Sequence, residues 1–302
     1  MKLFITGANG QLGTELLAML QSGVAEIGPI PTAYAEAEIM AVDKDELDLT
    51  DFAALQQTLQ QFQPDVIINC AAFTNVDGCE TNIDMAFLIN SVVPQQLAVY
   101  ASHSGCKLVQ VSTDYVFAGN GTVPYKEWDI CVPNSIYGKS KYLGEQYVLQ
   151  CGTAFVVRTA WLYGYHGHNF IKTIVRAAKA GKNLKVVNDQ LGNPTSANDL
   201  AYHILKLALT DYYGIYHCTN NGTCSWYDFA CEFLKLADID NQPSACSTEE
   251  FYAGKEALHA NRPAYSSLDN MALRNTVGDE MRSWQDALAM YMKHGIERGI
   301  FE

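Results

Sequence analysis

Apolar residues along the chain fall into short unbroken runs that alternate with stretches of helical period. Residues 2–6, 38–42, 65–72, 107–111 and 154–159 form five such runs. None alternates strictly between apolar and polar, so the pattern predicts strands covered on both faces. Between them, Leu12, Leu16, Leu17 and Leu20 mark a helix over 11–21. Phe52, Leu55, Leu59 and Phe62 mark a second helix, which Pro64 ends. Residues 84–104 read as one long helix with a kink or break at Pro94, and 137–149 as another helix. Strands alternating with helices in this way predict an α/β fold built on a doubly wound parallel sheet.

The rhythm loosens after residue 160. Helices are expected over 168–180, 197–209, 226–236 and 281–294, and a strand over 184–187. A segment at 216–219 is placed to return to the main sheet. The expected division is a dinucleotide-binding domain over 1–160, with a return segment near 196–220. Residues 161–302 then form most of a smaller, interleaved α/β substrate domain.

Charge narrows the partners. Twenty Lys and Arg against thirty-three Asp and Glu give a net charge of −13 over 302 residues. A broad basic face for nucleic acid or anionic lipid is not expected, although a few Arg or Lys suffice for one diphosphate. The opening MKLFITGANG breaks at Thr6-Gly7, too early for the apolar core of a secretory signal. No run approaches the length of a membrane span. Nine cysteines without a CxxC pair, among them Cys106 and Cys218 in apolar runs, fit buried free thiols in a reducing cytoplasm. His166 and His168 stand together without further ligands at zinc spacing, so no zinc site is expected, and with no compelling carboxylate cluster in the sequence no required metal is expected either.

The first run ends in Gly7-Ala8-Asn9-Gly10-Gln11-Leu12-Gly13, a GxxGxxG turn that opens a helix. Gly7, Gly10 and Gly13 allow a tight turn and close approach to a pyrophosphate, whose charge then meets the helix N-terminus. This context predicts a Rossmann-like nucleotide site. Asp43, at the end of the second run, suits an adenosine ribose. It follows Gly13 by more than the usual ~20 residues, so 29–36 must loop out. Asp43 favours NADH by charge, while Lys44 beside it could hold a 2′-phosphate; NADPH and NADH both stay open. Asp48 and Leu49 would lie near the adenine.

Tyr137 and Lys141 stand at i and i+4 and share one face of their helix. An ammonium near a phenol lowers its pKa toward working pH, where a general acid is most effective. Lys141 can also reach a nicotinamide ribose. At the end of the fourth run, Ser112 or Thr113 can offer a hydroxyl to a substrate carbonyl beside Tyr137.

Together, GxxGxxG, the strand ending in Asn69-Cys70-Ala71-Ala72, the segment 112–117 (STDYVF) and the segment 137–141 (YGKSK) resemble the extended short-chain dehydrogenase/reductases. More narrowly, they are similar to the dTDP-4-dehydrorhamnose reductases. Further matches are 71–77 (AAFTNVD), 158–164 (RTAWLYG), 189–195 (DQLGNPT), Arg262-Pro263 and 266–269 (SSLD), so the resemblance runs from residue 2 to about 295. It implies Tyr137 as proton donor, Lys141 as its support, and Thr113 on the substrate oxygen with Asp114 beside it. Gln11 and Leu12 would wrap the pyrophosphate with Gly10, and Cys70, Ala71 and Ala72 would line the cofactor. Trp161 would stack on the sugar and Arg262 would grip the diphosphate.

The implied reaction is reduction of the C4 ketone of dTDP-4-dehydro-6-deoxy-L-mannose to dTDP-L-rhamnose by NAD(P)H. The expected partner is a dTDP-linked deoxysugar, with neither nucleic acid nor membrane, and a homodimer is left open. A dehydratase of the superfamily would want an acidic residue after Thr113-Asp114, where Tyr115 stands. An epimerase, another nucleotide-sugar reductase, or a non-catalytic NADP-binding regulatory subunit are the alternatives.

Overall fold

Strand runs and helical stripes assemble into one layered unit in the computed structural model, which describes residues 1–254 and 258–302. Six parallel strands form the central sheet: β1 (Lys2–Thr6), β2 (Glu38–Val42), β3 (Val66–Asn69), β4 (Lys107–Thr113), β5 (Ala154–Thr159) and β6 (Gly214–His217). Their spatial order is 6-5-4-3-1-2. The main helices are α1 (Gln11–Ser22), α2 (Phe52–Phe62), α3 (Val93–Ser104), α4 (Ile136–Val148), α5 (Phe170–Lys179), α6 (Ala197–Ala208), α7 (Trp226–Leu236) and α8 (Trp284–Glu297).

The two faces of β1 explain why its run does not alternate. Leu3 and Ile5 pack with Leu12 and Leu16 of α1 and Leu200 and Ile204 of α6. Phe4 points the other way, to Leu55 and Leu59 of α2 and Leu97 of α3. Each fully buried side chain of this kind contributes about 1.5–3 kcal/mol. A third core gathers Tyr163, Ile171, Phe229, Phe233 and Leu288 between α5, α7 and α8. Beside it, Lys185–Val187 pairs with Ser244–Cys246. The expected return to the sheet is present: β6 pairs with β5 in parallel, Tyr216 beside Val157. β1 lies between β2 and β3, so the chain reverses direction across the sheet there, and a crevice opens at the carboxyl ends of β1 and β3.

Four expectations change. The third strand stops at Asn69, and residues 70–72 leave the sheet. Residues 29–36 do not loop out. Gly28–Pro29 pairs with Val24–Ala25, and a short 3-10 turn (Thr32–Tyr34) buries Tyr34, whose hydroxyl donates to the Leu205 carbonyl at 2.7 Å. The last helix begins at Trp284, because the Ser283 side chain accepts the Asp286 N–H and fixes its start.

The fourth change concerns 84–104. The helix Ile83–Phe87 passes into a π turn (Leu88–Val92) before α3, and Pro94 sits in the first turn of α3. Proline lacks the N–H that the Asn90 carbonyl, four residues earlier, would accept. The chain widens there instead of breaking. Gly144 of α4 fills the space against that carbonyl; a Cβ on it would lie 2.2 Å from the Asn90 oxygen. Among the described residues, no helix is long and apolar enough to cross a membrane.

Candidate active site

The glycine turn closes the crevice floor. Gly7 has φ +66°, and a Cβ on it would lie 2.7 Å from Ala71 N. A Cβ on Gly13 would lie 2.3 Å from the Gly7 carbonyl oxygen. Only glycine lets β1, α1 and the loop after β3 approach so closely. α1 begins at Gly10 without a side-chain cap. Its first N–H groups and the positive end of its dipole are therefore left for an anion. This backbone donor set fits a dinucleotide pyrophosphate, with Gln11 and Leu12 in the first turn.

Asp43 also fastens the turn. Its Oδ2 accepts the Asn9 N–H at 3.0 Å and its Oδ1 the Lys44 N–H at 2.8 Å. Asp48 is turned to local use: its Oδ1 accepts both the N–H and the hydroxyl of Thr50, which holds the carboxyl below its usual pKa. Leu49 packs against the core under α2. Opposite the turn, Cys70, Ala71 and Ala72 form the wall, and burial pushes the Cys70 thiol up to about 12.

The candidate chemistry gathers at the end of β4 and the start of α4. Ser135 caps α4 by accepting the Gly138 N–H, which presents Tyr137 in the first turn. The Thr113 hydroxyl faces the Tyr137 phenol, and it donates to Asp114 Oδ1 at 2.9 Å. Ser112 points away and donates to Glu145 at 2.5 Å, so Thr113 is the hydroxyl on the Tyr137 side. Asp114 is buried; its Oδ2 has no hydrogen-bond partner among the described residues, and desolvation pushes the carboxyl up to about 6. The Tyr115 ring meets the Tyr137 ring edge-on, centroids 5.4 Å apart.

One expectation fails here. The Tyr137 phenol is not acidified; burial raises its pKa well above the ordinary value, against a smaller lowering by Thr113. Lys141 shares the helix face, but its Nζ donates to the Val111 carbonyl on β4 at 2.6 Å. The strand carbonyl intercepts the ammonium before it reaches the phenol. Desolvation draws Lys141 down to about 8, opposed by the Glu145 carboxylate nearby. The phenol is thus held protonated.

Behind Lys141 lies a saturated ion pair. Arg158 donates Nε to Glu145 Oε1 at 2.9 Å and Nη2 to Oε2 at 2.7 Å, and both residues are buried. In front of α4, Asn90 ties the site together. Its Oδ1 accepts the Phe73 N–H, and its Nδ2 donates to the Phe73 carbonyl and the Ser140 hydroxyl.

A cavity of about 590 Å³ adjoins Tyr115 and is lined by Phe170, Trp226, Tyr252, Asp77 and Arg262, among others. A larger hollow of about 670 Å³, around Tyr227, Cys231 and Asp238, contains none of the candidate catalytic residues. Two expectations change at the first cavity. Trp161 does not line it. Trp161 adopts φ 46°, stacks flat on Trp226 with centroids 3.6 Å apart, and leaves no room for a Cβ on Gly192. Trp226 is the indole on the cavity wall. Arg262 does line the cavity, but its guanidinium is engaged by Asp77 in two hydrogen bonds of 2.9 and 2.8 Å.

Trp226, Tyr252 and Asp77 escape the sequence reading. Trp226, Phe229 and Phe233 repeat at helical spacing, which reads as core. Asp77 carries no local signal beyond its place in the segment 71–77. Among the described residues, no group of three or more His, Cys, Asp or Glu is arranged to hold a metal ion.

Residues 1–296 match the sequence model of the family described as RmlD substrate binding domain. The spore coat polysaccharide biosynthesis protein SpsK of Bacillus subtilis is 39% identical over 293 residues, covering 97% of each chain. A crystal structure of a dTDP-4-dehydrorhamnose reductase from Clostridium acetobutylicum superposes with a TM-score of 0.89 at 43% identity, covering 97% of this chain and 99% of that one. The Bacillus anthracis dTDP-4-dehydrorhamnose reductase, solved in complex with NADP, gives 0.88 at 40% identity with the same coverage.

Proposed function

The chain belongs to the RmlD substrate binding domain family, and on that premise we propose that it reduces the C4 ketone of dTDP-4-dehydro-6-deoxy-L-mannose to dTDP-L-rhamnose with NADPH or NADH. The observation that carries this reading is the Tyr137 phenol flanked by the Thr113 hydroxyl, beside a crevice whose glycine turn fits a pyrophosphate.

The N–H groups at the start of α1 hold the pyrophosphate, Asp43 takes the adenosine ribose, and Cys70, Ala71 and Ala72 form the wall. When bound, the reduced nicotinamide supplies a hydride to the ketone carbon. Tyr137 gives its proton to the ketone oxygen, so one hydride and one proton convert ketone to secondary alcohol. Reduction needs a donor that is protonated at working pH, as a phenol is; burial makes Tyr137 a weaker acid, so the Thr113 hydroxyl beside it must stabilise the phenolate as the proton leaves. Thr113 orients the substrate oxygen and the phenol together. Lys141 carries positive charge below about pH 8, is anchored by the Val111 carbonyl, and supports the ribose. Asp114, buried beside Thr113, anchors that hydroxyl, Trp226 supplies the apolar wall with Trp161 stacked behind it, and Arg262 binds the diphosphate.

The test combines purified protein, the ketosugar generated in place by its upstream enzymes, and NADPH or NADH, and follows the loss of nicotinamide absorbance. Ketosugar-dependent oxidation supports the reading. No oxidation with either cofactor overturns it.

A further inference from the structure

Asp77 and Arg262 face each other across the rim of the cavity. Asp77 lies in the short helix Val76–Thr81, after the wall formed by 70–72; Arg262 lies far along the chain, before Ser266. The guanidinium is met fork to fork: Nη1 donates to Oδ1 and Nη2 to Oδ2, while Nη1 also donates to the Tyr252 hydroxyl at 2.7 Å. Asp77 Oδ1 accepts the Ala260 N–H at 2.9 Å as well, so the carboxylate holds the loop and not only the side chain. The side chains are 23% exposed for Arg262 and 44% for Asp77, which places the pair at the cavity edge rather than in a core.

A carboxylate has the wrong sign to recognise a diphosphate, and among the described residues the hydrogen bonds of Asp77 go to Arg262 and the Ala260 N–H. Its shape is nevertheless that of one: two oxygens presented side by side to a planar guanidinium, the geometry Arg offers equally to carboxylate and phosphate. We propose that Asp77 is an internal stand-in for the substrate's diphosphate. It holds Arg262 in the ligand-free protein, and an entering nucleoside diphosphate takes the guanidinium from it, freeing the 260–262 loop from the helix Val76–Thr81. This rests on the nucleotide-sugar reading above. It makes Asp77 a specificity residue, because a ligand must bring enough paired anionic oxygens to displace both contacts.

The test uses the full-length protein and dTDP as the probe, with binding measured by calorimetry. Asp77→Asn keeps the shape and an acceptor for Ala260 N–H but removes the charge. A half-exposed ion pair of this kind corresponds to about two- to fivefold in an equilibrium constant. Asp77→Asn is therefore expected to bind dTDP about two- to fivefold tighter than the native chain while melting at a lower temperature without ligand. Asp77→Ala is expected to shift affinity in the same direction, and Arg262→Gln in the opposite one. Unchanged or weaker dTDP binding by both Asp77 variants overturns the proposal and makes Asp77 a support for Arg262. If the native chain binds dTDP and Asp77→Asn binds it tighter, yet no ketosugar is reduced, the reductase reading fails and the exchange stands. If the native chain does not bind dTDP, both fail.

Discussion

Two carboxylates are buried beside α4, and they are treated differently. At the rear, two turns along the same helix face from Tyr137, both oxygens of Glu145 accept from Arg158, and Ser112 adds a third donor. In front, Asp114 receives the Thr113 hydroxyl on one oxygen; its other oxygen has no partner at hydrogen-bond geometry among the described residues, and the nearby Ser266 hydroxyl only partly offsets its burial. Glu145 belongs to the scaffold: burying a charge is tolerable where every lone pair is met. Asp114 is held at a cost of burial that lifts its carboxyl to about 6. A group left incomplete in this way belongs where a ligand completes it. The contrast separates the rear of the site, which is finished on folding, from the front, which is not.

The sharpest test is at the front. Tyr137→Phe is expected to lower turnover by about 10²- to 10⁴-fold, the usual contribution of a positioned proton donor. Cofactor binding, followed by fluorescence of the reduced nicotinamide, should persist. Undiminished turnover would remove Tyr137 from the reaction. At the rear, Glu145→Gln leaves Arg158 buried without its counter-charge and is expected to destabilise by about 3–5 kcal/mol. Urea unfolding checks this; an unchanged midpoint would mean that the rear is no more essential than the front.

The opposite sign is expected for Asp114→Asn. The folded carboxyl titrates near 6 and the unfolded one near 3.8, so the native chain loses stability as pH rises between these values. The neutral variant avoids that loss. Above pH 6 it should gain up to about 3 kcal/mol, and the gain should vanish below pH 4. A constant difference across pH breaks the comparison.

The smallest effect concerns Lys141. With its pKa drawn down to about 8, its charge is lost above that pH, and kcat/KM should fall by up to tenfold per unit on the alkaline side. The sign for stability is the reverse: the unfolded chain binds more protons between about 8 and 10.5, so stability rises with pH there. An alkaline limb that moves in Lys141→Arg assigns it to the lysine. A limb that stays puts the titration elsewhere.

The sheet and its crevice are legible because the inner strands are buried on two faces and each helix on one. Ala154–Thr159 coincides with its apolar run for that reason, and Glu38–Val42 coincides with its run although it is the edge strand and leaves Ile39 exposed. Spacing also puts Tyr137 and Lys141 on one face of α4. It cannot show that the Val111 carbonyl lies within 2.6 Å of the ammonium, because that contact is made across the fold. The indoles mislead in the same manner: Trp161 and Trp226 are 65 residues apart in the chain (226 minus 161), yet they stack flat on each other. A linear pattern does not say which of two stacked rings faces a cavity. Arg262 was expected to grip a diphosphate; its partner in this structure, Asp77, comes from the other end of the chain. The hairpin at Val24–Pro29 hides behind Gly28 and Pro29, which read as loop.

The π turn at Leu88–Val92 has a mechanical consequence. Asn90 grips Phe73 on the cofactor side and Ser140 between Tyr137 and Lys141, and Gly144 is seated against the carbonyl that Pro94 leaves open. The 70–73 wall and the helix turn that carries Tyr137 are thereby bolted to one another through a single widened coil. The spacing between that wall and the Tyr137 phenol is a built dimension of the molecule, and on the proposed reading any play that a bound sugar induces falls to the far bank, to the loop that carries Arg262.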